Sequence, residues 1–269
     1  MKIMNKIIIG IVIAGFGFLI LGFSLGGRSQ IRTMYDNREL HFGWTNRRTI
    51  EYHDVNEEFT DIDNLYFDIQ ALNVIIEEYS GNTIKAEGTF SSNIDIKKNG
   101  NTLEVHENQS RFTQKLSFGL DFWYDDRLTI YIPEGMIFNK VNINVDAGSV
   151  TSKGTLNAKE IRMDVRMGQV YATSIICEEA VFDVALGNIS ISLLDSQNSD
   201  FNVGVGKINA KLVGGEDEYS YDVICNVGEV NIGSYQSKGV SSRDVGGRGL
   251  RLIHATCDVG SINIKMKEG

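Results

Sequence analysis

The 269-residue chain is long enough to bury a substantial core, and its 42% hydrophobic and 23% charged content is that of a folded protein. Its formal charge of -9 argues against a nucleic-acid-binding protein, because such proteins present a basic face to phosphate. With 28 Gly and one Pro, the composition suits many tight turns and excludes a proline-rich disordered stalk.

The first predicted element is a transmembrane helix within residues 1–27. Ile7 to Leu25 form an uncharged run of 19 residues, enough to cross a hydrocarbon core about 30 Å thick. This length favours a retained signal anchor over a secretory signal cleaved near Ser24, since the apolar region of a cleaved signal usually has about 7–15 residues. Lys2 and Lys6 favour a cytoplasmic N-terminus. We therefore expect a single-pass cell-membrane protein whose C-terminal domain is extracytoplasmic.

A polar, irregular stretch over residues 28–58 is interpreted as a juxtamembrane linker. From residue 59 onward, alternating apolar and polar residues predict strands, first in irregular coils over 59–140. Asn99-Gly100 is a hairpin signal within this part. Around Leu72, the sequence repeats the pattern described next with Leu in place of Gly, which predicts a degenerate first coil.

Residues 141–269 contain six copies of one pattern, an aliphatic residue or Cys, two residues, Gly, one residue, and Val or Ile. The glycines are 20, 19, 19, 22 and 32 residues apart, and they are Gly148, Gly168, Gly187, Gly206, Gly228 and Gly260. Residues on both sides of each Gly alternate with period two. The repeat predicts an all-β, single-stranded parallel β-solenoid of about 20-residue coils over residues 59–269. Glycine suits each corner because it tolerates positive φ and close backbone approach.

The segment between Gly228 and Gly260 is longer than the others and is interpreted as a flexible surface loop. It holds four cations in an otherwise acidic protein, namely Lys238, Arg243, Arg248 and Arg251. These residues form a candidate contact loop for an anionic envelope polymer. The alternative is a solvated insertion, because surface loops accept insertions readily.

Three cysteines are present, and none lies in the CxxC spacing of a zinc ribbon. Cys225 and Cys257 occupy the same position of the repeat, so on adjacent coils their Cα atoms are expected about 5 Å apart. A disulfide and two thiols are both compatible with that distance. Thiols are expected, because stacked parallel side chains rarely reach the disulfide dihedral angle. Cys177 lies in a return segment and has no evident partner.

Catalytic and metal-binding patterns are missing from the sequence. The four histidines fit no metal-ligand spacing, and neither a nucleophile elbow nor a phosphate loop occurs. We expect no cofactor and no metal. A polysaccharide-acting β-helix enzyme is the alternative, which requires acids clustered on one face. Asp146, Asp164 and Asp183 are the candidates, and we do not expect them to share one phase of the repeat.

The chain resembles the bacterial DUF4097 family of β-strand-repeat proteins, also called adhesin-like. Residues 128–133 (LTIYIP) and 141–150 (VNINVDAGSV) carry the resemblance, and the recurring units extend it over about residues 60–269. It implies a parallel β-solenoid displayed outside the cytoplasmic membrane. We expect a non-catalytic, membrane-anchored binding or scaffold protein, adhesin-like or acting in the envelope-stress response. The expected partner is an envelope protein or polymer, and the sequence predicts no nucleic-acid partner and no oligomeric state.

Overall fold

The structure is a computed structural model that describes residues 53–90, 93–109, 127–238 and 242–267. The predicted transmembrane helix (1–27) and most of the predicted linker lie outside the described residues. Within the described ranges, no helix has the length and apolar character needed to span a bilayer.

Every strand of the described residues belongs to one hydrogen-bonded sheet that winds around a single core. In chain order the strands are β1 (His53–Phe59), β2 (Asn64–Ile69), β3 (Asn73–Tyr79), β4 (Ile84–Phe90), β5 (Asn93–Asn99), β6 (Thr102–Gln109), β7 (Arg127–Pro133), β8 (Ile137–Val145), β9 (Ser149–Val165), β10 (Gln169–Val184), β11 (Asn188–Val203), β12 (Lys207–Val213), β13 (Tyr219–Cys225), β14 (Glu229–Ile232), β15 (Tyr235–Lys238), β16 (Ser242–Gly247), β17 (Arg251–Cys257) and β18 (Ser261–Lys267). A 3₁₀ turn, Glu216–Glu218, precedes β13.

The central coils stack in parallel with the predicted register. Val165 lies opposite Val145 on one side and Val184 on the other, and Val184 in turn lies opposite Val203. β9, β10 and β11 have 16 or 17 residues each, so each runs from one corner to the next and closes one coil. The predicted all-β fold with a parallel, solenoid-like sheet is therefore confirmed.

Alternation of apolar and polar residues holds this register. The inward residues of neighbouring coils form continuous buried rows, and in one of them the rings of Phe182 and Phe201 lie 5.3 Å apart. A slip by one residue would turn each apolar row toward water, which fixes the stacking wherever one face of a strand is buried.

At the N-terminal end, β2 and β3 form the degenerate coil expected around Leu72. Ile69 pairs with Val145, and Val74 pairs with Val150. On its other side this coil pairs with β6 and β7, which come later in the chain. The predicted Asn99-Gly100 hairpin joins antiparallel strands β5 and β6, and Gly100 has a φ of 59°.

In a simple single-stranded solenoid the coils stack in sequence order, and this chain departs from that order at both ends. At the C-terminal end, the last coil in sequence (β17 and β18) lies between the coil of β11 and β12 and the coil of β13 and β14. The corners therefore follow the spatial order Gly148, Gly168, Gly187, Gly206, Gly260, Gly228. At the N-terminal end, β6 and β7 likewise lie outside β2 and β3.

Antiparallel strands cover the outermost coil at each end. At one end β4 pairs with β7 and β5 with β6, while β1 adds to β4. At the other end β15 pairs with β14 and β16 with β13. The segment interpreted as a flexible loop thus contains two strands, and β1 begins inside the range 28–58 interpreted as linker. Such strands cover the backbone edges that would otherwise invite pairing with another chain.

Candidate binding surface

The six corner glycines allow neighbouring corners to touch. A Cβ on Gly206 would lie 2.3 Å from the Gly187 carbonyl oxygen. At each of the other five glycines, a Cβ would lie 2.2 to 2.4 Å from a carbonyl oxygen of the neighbouring corner in the stack. Close backbone approach is therefore one reason for glycine here. The other expected reason is wrong, because none of the six has positive φ.

Three of the four cations predicted as a contact loop are paired within the protein. Arg243 donates from Nη2 to Asp222 Oδ2 at 2.9 Å and so holds the pKa of that carboxyl below its ordinary value. Lys238 Nζ lies 3.1 Å from Glu229 Oε1. Arg248 is exposed. The loop therefore presents little unpaired positive charge.

Arg251 is the third of the paired cations, and it holds the corner where β17 begins. Only 11% of its side chain is exposed. Its Nε donates to the Ser196 carbonyl at 2.8 Å, Nη1 donates to the Val213 carbonyl at 3.2 Å, and Nη2 contacts the Asp195 carboxylate. The guanidinium lies 5.0 Å from the centre of the Tyr219 ring, where burial raises the pKa of the phenol to about 12. Arg251 thus joins strands of different coils and offers little to a partner.

Exposed cations that form no close ion pair lie instead on the outward side of β12 and β18. The lysine face, as we name it, consists of Lys207, Asn209, Lys211, Asn263, Lys265 and Lys267. Lys211 lies directly opposite Lys265, and Asn209 lies opposite Asn263. Among the alternate residues of the two strands, Ile208 and Ile262 are fully buried, which fixes the lysine face toward solvent.

All four lysines are exposed, and none has a carboxylate within 4.0 Å among the described residues. The neighbouring strand β11 offers Asn188, Ser190 and Ser192 outward, which are neutral. On β14 the outward acid is Glu229, whose pKa is lowered first by the Asn231 amide, then by Lys238 and also by the charge of Lys207. Like charges directly opposite each other destabilise a sheet. An anion bound between Lys211 and Lys265 would remove that repulsion.

Sequence reasoning missed the lysine face because the strands are not consecutive. The pattern Lys-Ile-Asn-Ala-Lys of β12 and the pattern Ser-Ile-Asn-Ile-Lys-Met-Lys of β18 are visible in the sequence. Only the insertion of β18 beside β12 brings their lysines together. With sequential stacking, Lys211 would have lain near Gly233.

Two of the three carboxylates considered for catalysis, Asp146 and Asp183, are engaged by other side chains. Asp164 lies opposite Asp183, so these two share one phase of the repeat, whereas Asp146 lies at another, and the three do not converge. Asp183 accepts from Arg162 and, at 2.8 Å, from Asn202 Nδ2. Asp146 lies at a corner, 3.2 Å from Arg166. Within the described ranges, no group of three or more His, Cys, Asp or Glu is placed to hold a metal ion.

The three cysteines are buried thiols in the structure. Cys225 and Cys257 lie opposite each other on β13 and β17, as the repeat predicted, and both are fully buried. Burial raises the pKa of Cys257, and it raises the pKa of Cys177 to about 12. Because the thiolate is the reactive form, Cys177 and Cys257 are poor nucleophiles near neutral pH.

We expect the folded chain to resist alkylation by iodoacetamide at about pH 8, because all three thiols are buried and burial raises the pKa of Cys177 and Cys257. Unfolding in denaturant should expose all three, and mass spectrometry then counts three added groups. A single added group after unfolding would instead reveal a Cys225–Cys257 disulfide.

These features define a parallel β-solenoid with covered ends and a cationic pair of strands. The chain belongs to the Toastrack DUF4097 family, which matches residues 62–269. A search of curated proteins finds no match to the chain.

Several solved bacterial structures are similar in fold. A protein of Clostridium sporogenes, provisionally named a cell adhesion protein, is 14% identical, with 81% of this chain and 99% of that chain covered and a TM-score of 0.46. One from Parabacteroides distasonis, provisionally named a lipid binding protein, is 15% identical, with 82% and 98% covered and a TM-score of 0.40. One from Bacteroides fragilis, provisionally named an adhesin, is 11% identical, with 80% and 97% covered and a TM-score of 0.33.

Proposed function

We propose that this chain is a non-catalytic, membrane-anchored binding protein of the cell envelope, and that its lysine face holds an anionic polymer. The N-terminal apolar run anchors the chain, and the solenoid extends outside the cytoplasmic membrane. The observation that carries the polymer proposal is the pair Lys211 and Lys265, which lie opposite each other with no carboxylate of the described residues within 4.0 Å.

The geometry of the lysine face suits an extended, repeating anion. Lys207 and Lys211 lie on the same side of one strand, four residues or about 13 Å apart, and Lys265 extends the row sideways by about 4.8 Å. Asn209 and Asn263 lie between the cations and can donate to phosphate or hydroxyl oxygens. Regularly spaced charges on a rigid sheet match a polymer such as a polyphosphodiester better than a small ligand, which usually requires a concave site.

Binding can be measured with the full chain in nanodiscs of neutral lipid, using poly(glycerol phosphate) as the probe. We expect binding that weakens as salt is raised, because exposed charges are screened. The double variant Lys211→Glu with Lys265→Glu is expected to bind roughly tenfold more weakly, since each change replaces attraction by repulsion. Lys159→Glu is the matched control, because Lys159 is an exposed lysine of β9 outside the lysine face.

Equal losses in the control and the double variant would contradict the proposal, as would unchanged binding in the double variant. A neutral dextran of similar length should not bind. Depolymerisation of a cell-wall glycan by the purified chain would contradict the non-catalytic part of the proposal.

A further inference from the structure

A second exposed feature lies beside the lysine face. Five corners carry a large aliphatic side chain directly before the corner glycine, and this row is named the apolar ridge. Its members and their exposed fractions, in spatial order, are Met167 (62%), Leu186 (59%), Val205 (55%), Val259 (55%) and Val227 (61%). Exposed apolar residues are ordinary when scattered, but a contiguous row of them indicates a contact surface.

Backbone hydrogen bonds between adjacent corners hold the five side chains of the ridge in one ladder. Leu186 donates to Arg166 O at 2.7 Å, and the equivalent bond from Val205 to Ala185 O also measures 2.7 Å. Val259 and Val227 continue the same ladder at 2.8 and 2.7 Å. With about 4.8 Å between strands, the five side chains span roughly 19 Å in one line. A row of exposed side chains at successive corners can touch a flat surface at several points, whereas a single row cannot enclose a ligand.

We propose that the apolar ridge lies on the lipid bilayer in which the chain's own N-terminal segment is anchored. This inference rests on the proposed anchoring. Between Leu25 and the start of β1 at His53 lie 27 residues, which can span at most about 100 Å. Because these 27 residues connect the solenoid to the anchored segment, the apolar ridge is present at a high effective concentration near the bilayer. A weak contact is then enough for the ridge to lie on the membrane.

Other occupants fit the ridge less well. One row of five side chains offers far less than the roughly 800 Å² per partner of a standard protein interface. The chain carries a net charge of -9, so the chain as a whole is not expected to be drawn to an anionic membrane by long-range electrostatics. Contact through aliphatic side chains is apolar and therefore insensitive to salt, in contrast to binding at the lysine face.

Depth-dependent quenching tests this contact in the full chain, reconstituted in phosphatidylcholine vesicles that contain nitroxide-labelled lipid. An environment-sensitive fluorophore is attached through Leu186→Cys. The matched control carries the label at Glu178→Cys, an exposed position of β10 away from the corner. Native cysteines are buried and should label slowly. We expect a blue shift and strong quenching at position 186, unchanged by salt, and neither effect at position 178.

A second variant tests the ridge as a unit. Met167→Asp with Val205→Asp places charges on both sides of the label, and it should abolish quenching at position 186. Equal quenching at 186 and 178 in chains that remain membrane-embedded would overturn the ridge contact alone. A disulfide-linked dimer through unlabelled Leu186→Cys, without quenching of the labelled chain, would assign the ridge to a second copy and overturn it as well. Release of the chain by alkaline carbonate would instead overturn the anchoring.

Discussion

Replacing Gly206 by Ala is expected to lower the free energy of unfolding by about 3 kcal/mol, as for other overpacked core sites. The new Cβ would lie 2.3 Å from the Gly187 carbonyl oxygen and 2.5 Å from Val184 Cγ1. Both neighbours belong to the adjacent coil, and the backbone oxygen cannot move without breaking the ladder between corners. Urea denaturation followed by circular dichroism measures the change.

Gly204→Ala is the matched control because it changes the same corner. Its Cβ would have no contact shorter than 3.0 Å, and Ala185 occupies the equivalent position of the adjacent coil. We expect a change within about 1 kcal/mol, the range of ordinary Gly-to-Ala substitutions. Equal destabilisation by the two variants would show that close approach does not explain the corner glycines.

Glu107→Ala is expected to destabilise the domain by about 3–4 kcal/mol, because buried hydrogen bonds to a charged group are strong and their donors would lose their acceptor. Glu107 is 4% exposed, and its Oε2 accepts from the backbone N–H groups of Gln70, Ala71 and Leu72 at 2.9, 2.8 and 2.9 Å. In the next coil, the corresponding N–H of Asp146 donates to a backbone oxygen, Ile69 O. The carboxylate thus supplies the acceptors for the first corner of the ladder.

Two further variants separate this role from loss of charge alone. Glu107→Gln keeps an acceptor oxygen and should cost roughly half as much, since a neutral hydrogen bond is about half as strong. Glu178→Ala removes an exposed carboxylate and should change stability by less than about 0.5 kcal/mol. A Glu107→Ala chain as stable as the Glu178→Ala chain would contradict the assignment.

Much of the fold could be predicted from the sequence, because the central coils repeat locally. The period-two alternation around Gly168 and Gly187 specifies both the strands and their register, and these strands pair with the next coil in the chain. The same reasoning identified the coil of Leu72, where the glycine is absent. Local patterns are sufficient wherever neighbours in sequence are also neighbours in space.

Coil order at the ends could not be predicted, since the corners of Gly228 and Gly260 have the same pattern and either fits beside Gly206. Antiparallel pairing of β15 with β14 and of β16 with β13 decides between them, and that pairing depends on a segment without the repeat. The lysine face and the role of Arg251 follow from this order. The role of Glu107 was also missed, because this carboxylate accepts hydrogen bonds from backbone N–H groups 35 to 37 residues away in the sequence.

Placement of the last coil inside the stack also constrains how a chain emerging from its N-terminus can mature. Until residues 251–267 have emerged, the row that ends at Val203 lacks its native neighbour, Cys257. The unit that carries Cys225 is synthesised earlier, yet in the folded protein it pairs with β17 on the far side from Val203. The native stack is therefore complete only when the last-synthesised unit lies between these two rows, and not when one more turn is added at the end.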